Sequence, residues 1–180
     1  MLGTSDACIA TYPGDWAQGL IALDAKVEVL GRGGIRTLPF SELHRDYGDA
    51  PHIETNLRPG ELITAFLVPS GPHTRRSLYL KIRDRESYEF ALAAAAVALD
   101  LDGDRARDIR VALGGVATKP WRAREAEDML RGQPITEDLL RRAADAAFTS
   151  AKSRKYNAFK VKLGQETLVR AIMQARAMEV

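Results

Sequence analysis

The sequence predicts an α+β protein: a mixed αβ first part, then a three-stranded antiparallel sheet with three helices in an open-faced layer arrangement. Two hairpin signals and one change of period carry that expectation. Gly31-Arg32-Gly33-Gly34 and Asp102-Gly103 each separate stretches patterned as paired strands. Beyond Lys119 the apolar spacing becomes helical and stays so.

Taken in order, Gly14-Asp15-Trp16 opens a short helix, with Asp15 suited to the N-cap and Trp16, Leu20, Ile21 and Leu23 as apolar contacts. Val27 and Val29 alternate with Lys26 and Glu28, and Ile35 and Thr37 alternate on a return strand that Pro39 ends. Phe40–His44 reads as one helical turn, 45–58 as a long surface loop, and Leu62–Val68 as a strand closed by Pro69. The loop Ser70–Thr74 divides the chain into residues 1–74 and 75–180. Ser77–Ile82 is a strand pattern. The Ala-rich run from Phe90 is ambiguous, because alanine favours helix by intrinsic propensity. The Asp102-Gly103 turn and the alternating Ile109, Val111 and Leu113 beyond it require a strand partner, so Phe90–Leu101 is expected to be a strand. Pro120 suits the first position of a helix through Ala123, Ala126 and Leu130, with Gly132 beyond its end. Thr136, followed by Glu137 and Asp138, caps a second helix. Asn157 starts a third, with Val161, Leu168, Ile172 and Met173 on one face.

The charge balance, 26 Lys+Arg against 24 Asp+Glu in 180 residues, is too even for binding nucleic acid or membranes mainly by charge. Neither is an expected partner. The longest apolar run, Phe90–Leu99, falls short of the roughly 20 residues a membrane span needs, and no charged-then-apolar leader opens the chain. The one cysteine, Cys8, excludes an internal disulfide and a self-contained iron–sulfur cluster; it reads as a small buried hydrophobe. Gly31–Gly34 lacks the Lys-Ser/Thr and the strand–loop–helix context of a phosphate loop. His44, His52 and His73 lack metal-ligand spacing, so no metal site is expected. Arg83-Asp84-Arg85-Glu86 reads as a solvated loop with mutual ion pairs, and Lys152, Arg154 and Lys155 as a solvated turn. No catalytic constellation emerges from the residues alone. On that ground the chain is a binding or interaction module.

Three stretches add a resemblance. GTSDACIATYPGDWAQGLIALDAKVEVLG is similar to the start of the second flavin-binding lobe in the medium subunit of molybdenum hydroxylases, the xanthine dehydrogenase, aldehyde oxidoreductase and carbon monoxide dehydrogenase group. LRPGELITAFLVP with YLKIRDRESYEFALAAAAVAL resembles the end of that lobe and its continuation. VALGGVATKPWRAREAEDMLRG and NAFKVKL resemble the entry to the C-terminal domain's helices and its last helix. Order and spacing match along the whole chain. The resemblance implies an electron-transfer subunit. In that group a molybdenum cofactor in the large subunit hydroxylates substrate, and iron–sulfur clusters in the small subunit pass electrons to FAD and on to an external acceptor. It also implies three FAD contacts. Asp15 would accept hydrogen bonds from FAD hydroxyls, Ile63 would pack beside the ring, and Lys81 would hold an ammonium near it. Their ordinary alternatives are N-cap, strand core and solvated strand-end lysine.

Two departures shape the expectation. The family's preceding lobe carries the glycine-rich loops that grip the FAD pyrophosphate, and this sequence starts after it. The chain by itself is therefore expected to hold FAD weakly or not at all, on an unusually apolar face where the other lobe docks. The cysteine-rich insert found upstream of the GTS-x-x-Cys-Ile-Ala-Thr pattern in some members, where it binds a further [4Fe-4S] cluster, is likewise outside the sequence. NAD-using relatives carry acidic residues in the loop after the lysine, where this chain has Ser87-Tyr88. Tyr88 either covers the flavin ring or points into the sheet's core. The expected compartment is the cytoplasm, or the periplasm if a partner carries the export signal. The competing reading is a non-catalytic interaction module that binds no flavin by itself.

Overall fold

A computed structural model describes residues 1–180 and contains two antiparallel sheets and four helices. Helix α1 (Trp16–Ala22) leads into β1 (Lys26–Gly31) and β2 (Gly34–Pro39), and β3 (Leu62–Leu67) returns on the other side of β1, giving the order β2-β1-β3. Gly31 pairs with Gly34 across the Arg32-Gly33 turn, and Gly34 takes a φ of 99°, a conformation that favours glycine. Val27 and Val29 are fully buried under α1, while Lys26 and Glu28 face outward. The register slips at Glu28/Val29. The Thr64 hydroxyl donates to the Glu28 carboxylate there at 2.6 Å.

The second sheet joins β4 (Ser77–Ile82), β5 (Ala93–Asp102), β6 (Arg105–Gly114) and β7 (Trp121–Arg122) in sequence order. The Ala-rich run is a strand, beginning at Ala93, because pairing on both edges outweighs alanine's helical preference. Its small side chains then serve two different faces. Ala93, Ala95, Val97 and Leu99 join Ile109, Val111 and Leu113 in the main core under α2 (Arg124–Leu130), α3 (Glu137–Ala147) and α4 (Phe159–Arg176). Ala96 and Ala112 instead share a second core with Ala17, Leu20, Ile21 and Ala22 of α1. The sheet is thus not open-faced, as the sequence reading expected: a seven-residue helix from the first part covers its other side, where alanine and glycine let it approach.

Three local expectations change. The sheet has a fourth strand, because Trp121 and Arg122 pair with the free edge of β6; Pro120 therefore precedes a strand, and α2 starts at Arg124. The last helix starts at Phe159, since the Asn157 side chain closes a turn by accepting the Arg154 N–H at 2.7 Å. Thr136 caps α3 as expected, its hydroxyl accepting the Leu139 N–H at 3.3 Å. Gly132 follows α2 with φ 75°.

The two parts are bolted together by charge at the C-terminal end of α1. Asp24, itself at φ 51°, receives Arg122 at 2.8 Å and Arg110 at 3.2 Å. Arg122 also donates to the Ile21 carbonyl at 2.9 Å and to the fully buried Glu127, which accepts the Val111 N–H as well. Met1 and Leu2 are buried in the main core, beside Ala117.

Candidate functional site

At the other end of α1 the alternation of β4 decides what meets the helix. Leu78 and Leu80 pack against the main core, so Tyr79 and Lys81 project from the α1 side of the strand. Their partners on β5 are Ala96 and Ala94, which leave room between strand and helix. Asp15 precedes the first turn of α1 and reaches across. Lys81 Nζ donates to Asp15 Oδ2 at 2.7 Å, and the Tyr79 hydroxyl donates to Asp15 Oδ1 at 2.8 Å. Asp15 occupies the N-cap position but makes no side-chain cap bond; its carboxylate serves the strand instead.

Partial burial pushes the Asp15 pKa up, but the hydrogen bonds from Lys81 and Tyr79, with the charges of Lys81 and Arg83, outweigh it and leave the pKa below the usual carboxylate value. Burial and then the Asp15 carboxylate raise the Tyr79 pKa strongly, so its hydroxyl stays a donor. Lys81 is largely covered, with 16 % of its side chain exposed, while Asp15 keeps 46 % open to solvent.

Ile63 lies elsewhere on the same part of the molecule, in an apolar cup formed with Trp16, Leu57, Phe40 and Phe66. Trp16 links the two places: it follows Asp15 in the chain, is 69 % exposed, and packs on Phe66 at a ring separation of 5.3 Å. Of the three residues singled out from sequence, the structure joins Asp15 to Lys81 and puts Ile63 in the cup that Trp16 walls. Sequence reasoning missed Tyr79, although its place two residues before Lys81 on an alternating strand puts it on the same face.

The flanking segments are also placed. In the loop after β4, Glu89 accepts the N–H groups of Asp84 and Arg85, and Arg85 donates to the Tyr88 carbonyl, in place of the expected ion pairs within 83–86. Tyr88 is 95 % exposed with φ 54°, which removes its proposed place in the sheet core. Cys8 is half-buried and outside both cores, with its N–H donated to Ser5 Oγ, so it is not the core residue expected. His44 packs edge-on to Tyr12. His73 is buried at the junction of the two parts, with Nδ1 3.6 Å from Asp108.

Known proteins share this fold. A reconstituted CO dehydrogenase from Oligotropha carboxidovorans includes a chain that superposes with a TM-score of 0.80 at 27% identity, over 92% of this chain and 57% of that one. The family model for the CO dehydrogenase flavoprotein C-terminal domain matches residues 78–175, and that for the FAD binding domain in molybdopterin dehydrogenase matches residues 6–71. The chain belongs to the FAD-binding medium subunits of the molybdenum hydroxylases. It is 41% identical to the aldehyde oxidoreductase FAD-binding subunit PaoB of Escherichia coli (strain K12), over 98% of this chain and 52% of the relative. The nicotine 6-hydroxylase medium subunit of Paenarthrobacter nicotinovorans is 33% identical over 91% of this chain and 56% of its own length. The chain thus spans about half the length of the curated relatives it matches.

Proposed function

We propose that this chain forms one wall of an FAD site in an electron-transfer subunit of a molybdenum hydroxylase. Its parent complex would take electrons from a molybdenum-bearing large subunit, through iron–sulfur clusters in a small subunit, to an external acceptor. Residues 1–74 would complete the flavin lobe, and 75–180 would pack against it and the partner subunits. The single observation that supports this most is the contact of Asp15 with Lys81, two residues matched to FAD contacts that lie 66 positions apart in sequence.

The donor set suits such a cofactor. Asp15 uses one acceptor position on each oxygen for Lys81 and Tyr79, and a carboxylate retains further lone pairs for ligand hydroxyls. Lys81 brings a positive charge, and Trp16, Ile63 and Phe66 provide an apolar, aromatic wall of the kind that packs a planar ring. When bound, FAD supplies reversible two-electron transfer; the chain's residues supply orientation and local charge. Exposed Tyr88 would lie over the ring and offer no carboxylate for a nicotinamide cofactor, so the favoured acceptors are oxygen, a quinone or a small redox protein. The 41% identity to an aldehyde oxidoreductase subunit, against 24% to a putative xanthine dehydrogenase subunit, favours an aldehyde-type parent.

Fluorescence titration of the apo-subunit with FAD tests the site. Lys81→Met weakens FAD by about tenfold or more while the melting temperature stays near that of the wild type. Unchanged FAD affinity in that variant, or in Asp15→Ala, contradicts the reading and leaves the interaction module in its place. Steady-state assays of the complex with NAD against artificial dyes test the acceptor; efficient NAD reduction, insensitive to Tyr88→Ala, removes that part alone.

A further inference from the structure

We infer that Tyr79 is a positioning residue for the flavin site, acting through Asp15: its hydroxyl fixes the rotation of the Asp15 carboxylate and thereby selects the lone pairs presented to the ligand. This inference rests on the proposed role of Asp15. Two donors from one strand, at i and i+2, grip different oxygens of the same carboxylate. They do not do the same work. A lysine ammonium is a compact charge on a flexible four-carbon stem, with three rotatable donors, and holds a carboxylate near without fixing its plane. A tyrosine is a stiff ring with two side-chain torsions, and its one O–H has one direction to give.

The setting lets the ring reach across to the helix. Tyr79 sits opposite Ala96 on β5 and borders a depression that Gly19 and Ala22 of α1 and Ala98 also line. With only small groups below it, the ring spans from sheet to helix and sets its hydroxyl level with the start of α1. An ionised carboxylate can only accept, so the phenol must donate. The charged or titratable groups facing Asp15 are Tyr79, Lys81 and Arg83, all from β4 or its end; β5 and β6 present alanine and glycine near this end of the helix, and β6's Arg110 lies at its other end, against Asp24.

A double-mutant cycle separates positioning from mere support. FAD titrations are run on the complete flavoprotein subunit in wild-type, Tyr79→Phe, Asp15→Ala and doubly substituted forms. Tyr79→Phe removes one oxygen from a partly exposed ring. It is expected to weaken FAD about five- to tenfold, the scale of one net hydrogen bond, with little change in melting temperature. In the Asp15→Ala background the same change is expected to cost less than about 1.5-fold, since nothing is left to position. The acid limb of FAD binding gives a second readout: its midpoint moves to higher pH in Tyr79→Phe, because Asp15 has lost a stabilising donor. Equal losses in both backgrounds, or no loss with Asp15 in place, overturn the inference while a strong Asp15→Ala effect keeps the site reading. If Asp15→Ala itself leaves FAD affinity unchanged, the site reading falls and takes the inference with it.

Discussion

Glu61 shows how much one side chain can set the acid tolerance of the first sheet. Arg36 grips its carboxylate with two bonds of 2.8 and 2.7 Å, and the Arg58 N–H adds a third at 2.7 Å. The Arg36 bond first, then the Arg58 N–H, hold its pKa at about 2 against an ordinary 4.5. A folded-state pKa below the unfolded one means stability that is fully present above about pH 4.5 and disappears as pH falls towards 2. Glu61→Gln is expected to flatten the denaturant midpoint across that window and to leave FAD affinity unchanged, since Glu61 lies outside the Asp15–Lys81 pair. A midpoint that still declines with the wild-type slope assigns the acid limb to other carboxylates.

At the scale of elements, the small-residue face under α1 governs the site. A methyl on Gly114 would clash with the side chain of Gln18, which is fully buried and would have to shift. Neither polar atom of Gln18 has a hydrogen-bond partner. Gly114→Ala is therefore expected to destabilise the protein by about 1–3 kcal/mol, and adding Gln18→Ala to recover most of that loss, as read in chemical denaturation. A Gly114→Ala protein as stable as the wild type would mean that α1 rides loosely on the sheet. The strands and capped helices were legible because each carries local punctuation: Gly31–Gly34, Asp102-Gly103, Thr136, Gly132. The seating of α1 was not legible, because an alanine says only that little space is taken and not which neighbour takes advantage of it. The two-residue β7 was hidden for the opposite reason: it has no period of its own and exists by pairing with an edge that sequence does not display. In the candidate site, Asp15 and Lys81 are singled out by resemblance alone, and Tyr79 escapes because a tyrosine on a strand needs no explanation.

For the whole molecule, Arg122 is the tie between the two parts. It joins Asp24 and the Ile21 carbonyl on one side to the buried Glu127 on the other. Arg122→Ala removes the nearest partner of the buried Glu127 and leaves it only Arg124 and Arg131 at 3.9 Å, at an expected cost of about 3 kcal/mol, and loosens the C-terminal end of α1. FAD affinity should fall alongside stability in that variant. A stable protein with full affinity would mean that the cores alone hold the parts in register.

The wide separation of Asp15 and Lys81 along the chain also fixes an order of events. The β5–β6 hairpin is local and its contacts are cheap to close, whereas seating α1 on the far side of that sheet closes a much longer loop. Seven residues are too few to keep a helix in water unaided, so α1 takes shape only as it lands. The two tryptophans stand as reporters on either side of this step, Trp121 packed on the main core and Trp16 at the tip of α1. In stopped-flow refolding of single-tryptophan variants, the Trp121 signal should settle before that of Trp16. The pocket would then be the last thing the chain makes, and a ligand added during refolding would accelerate nothing until the helix is down.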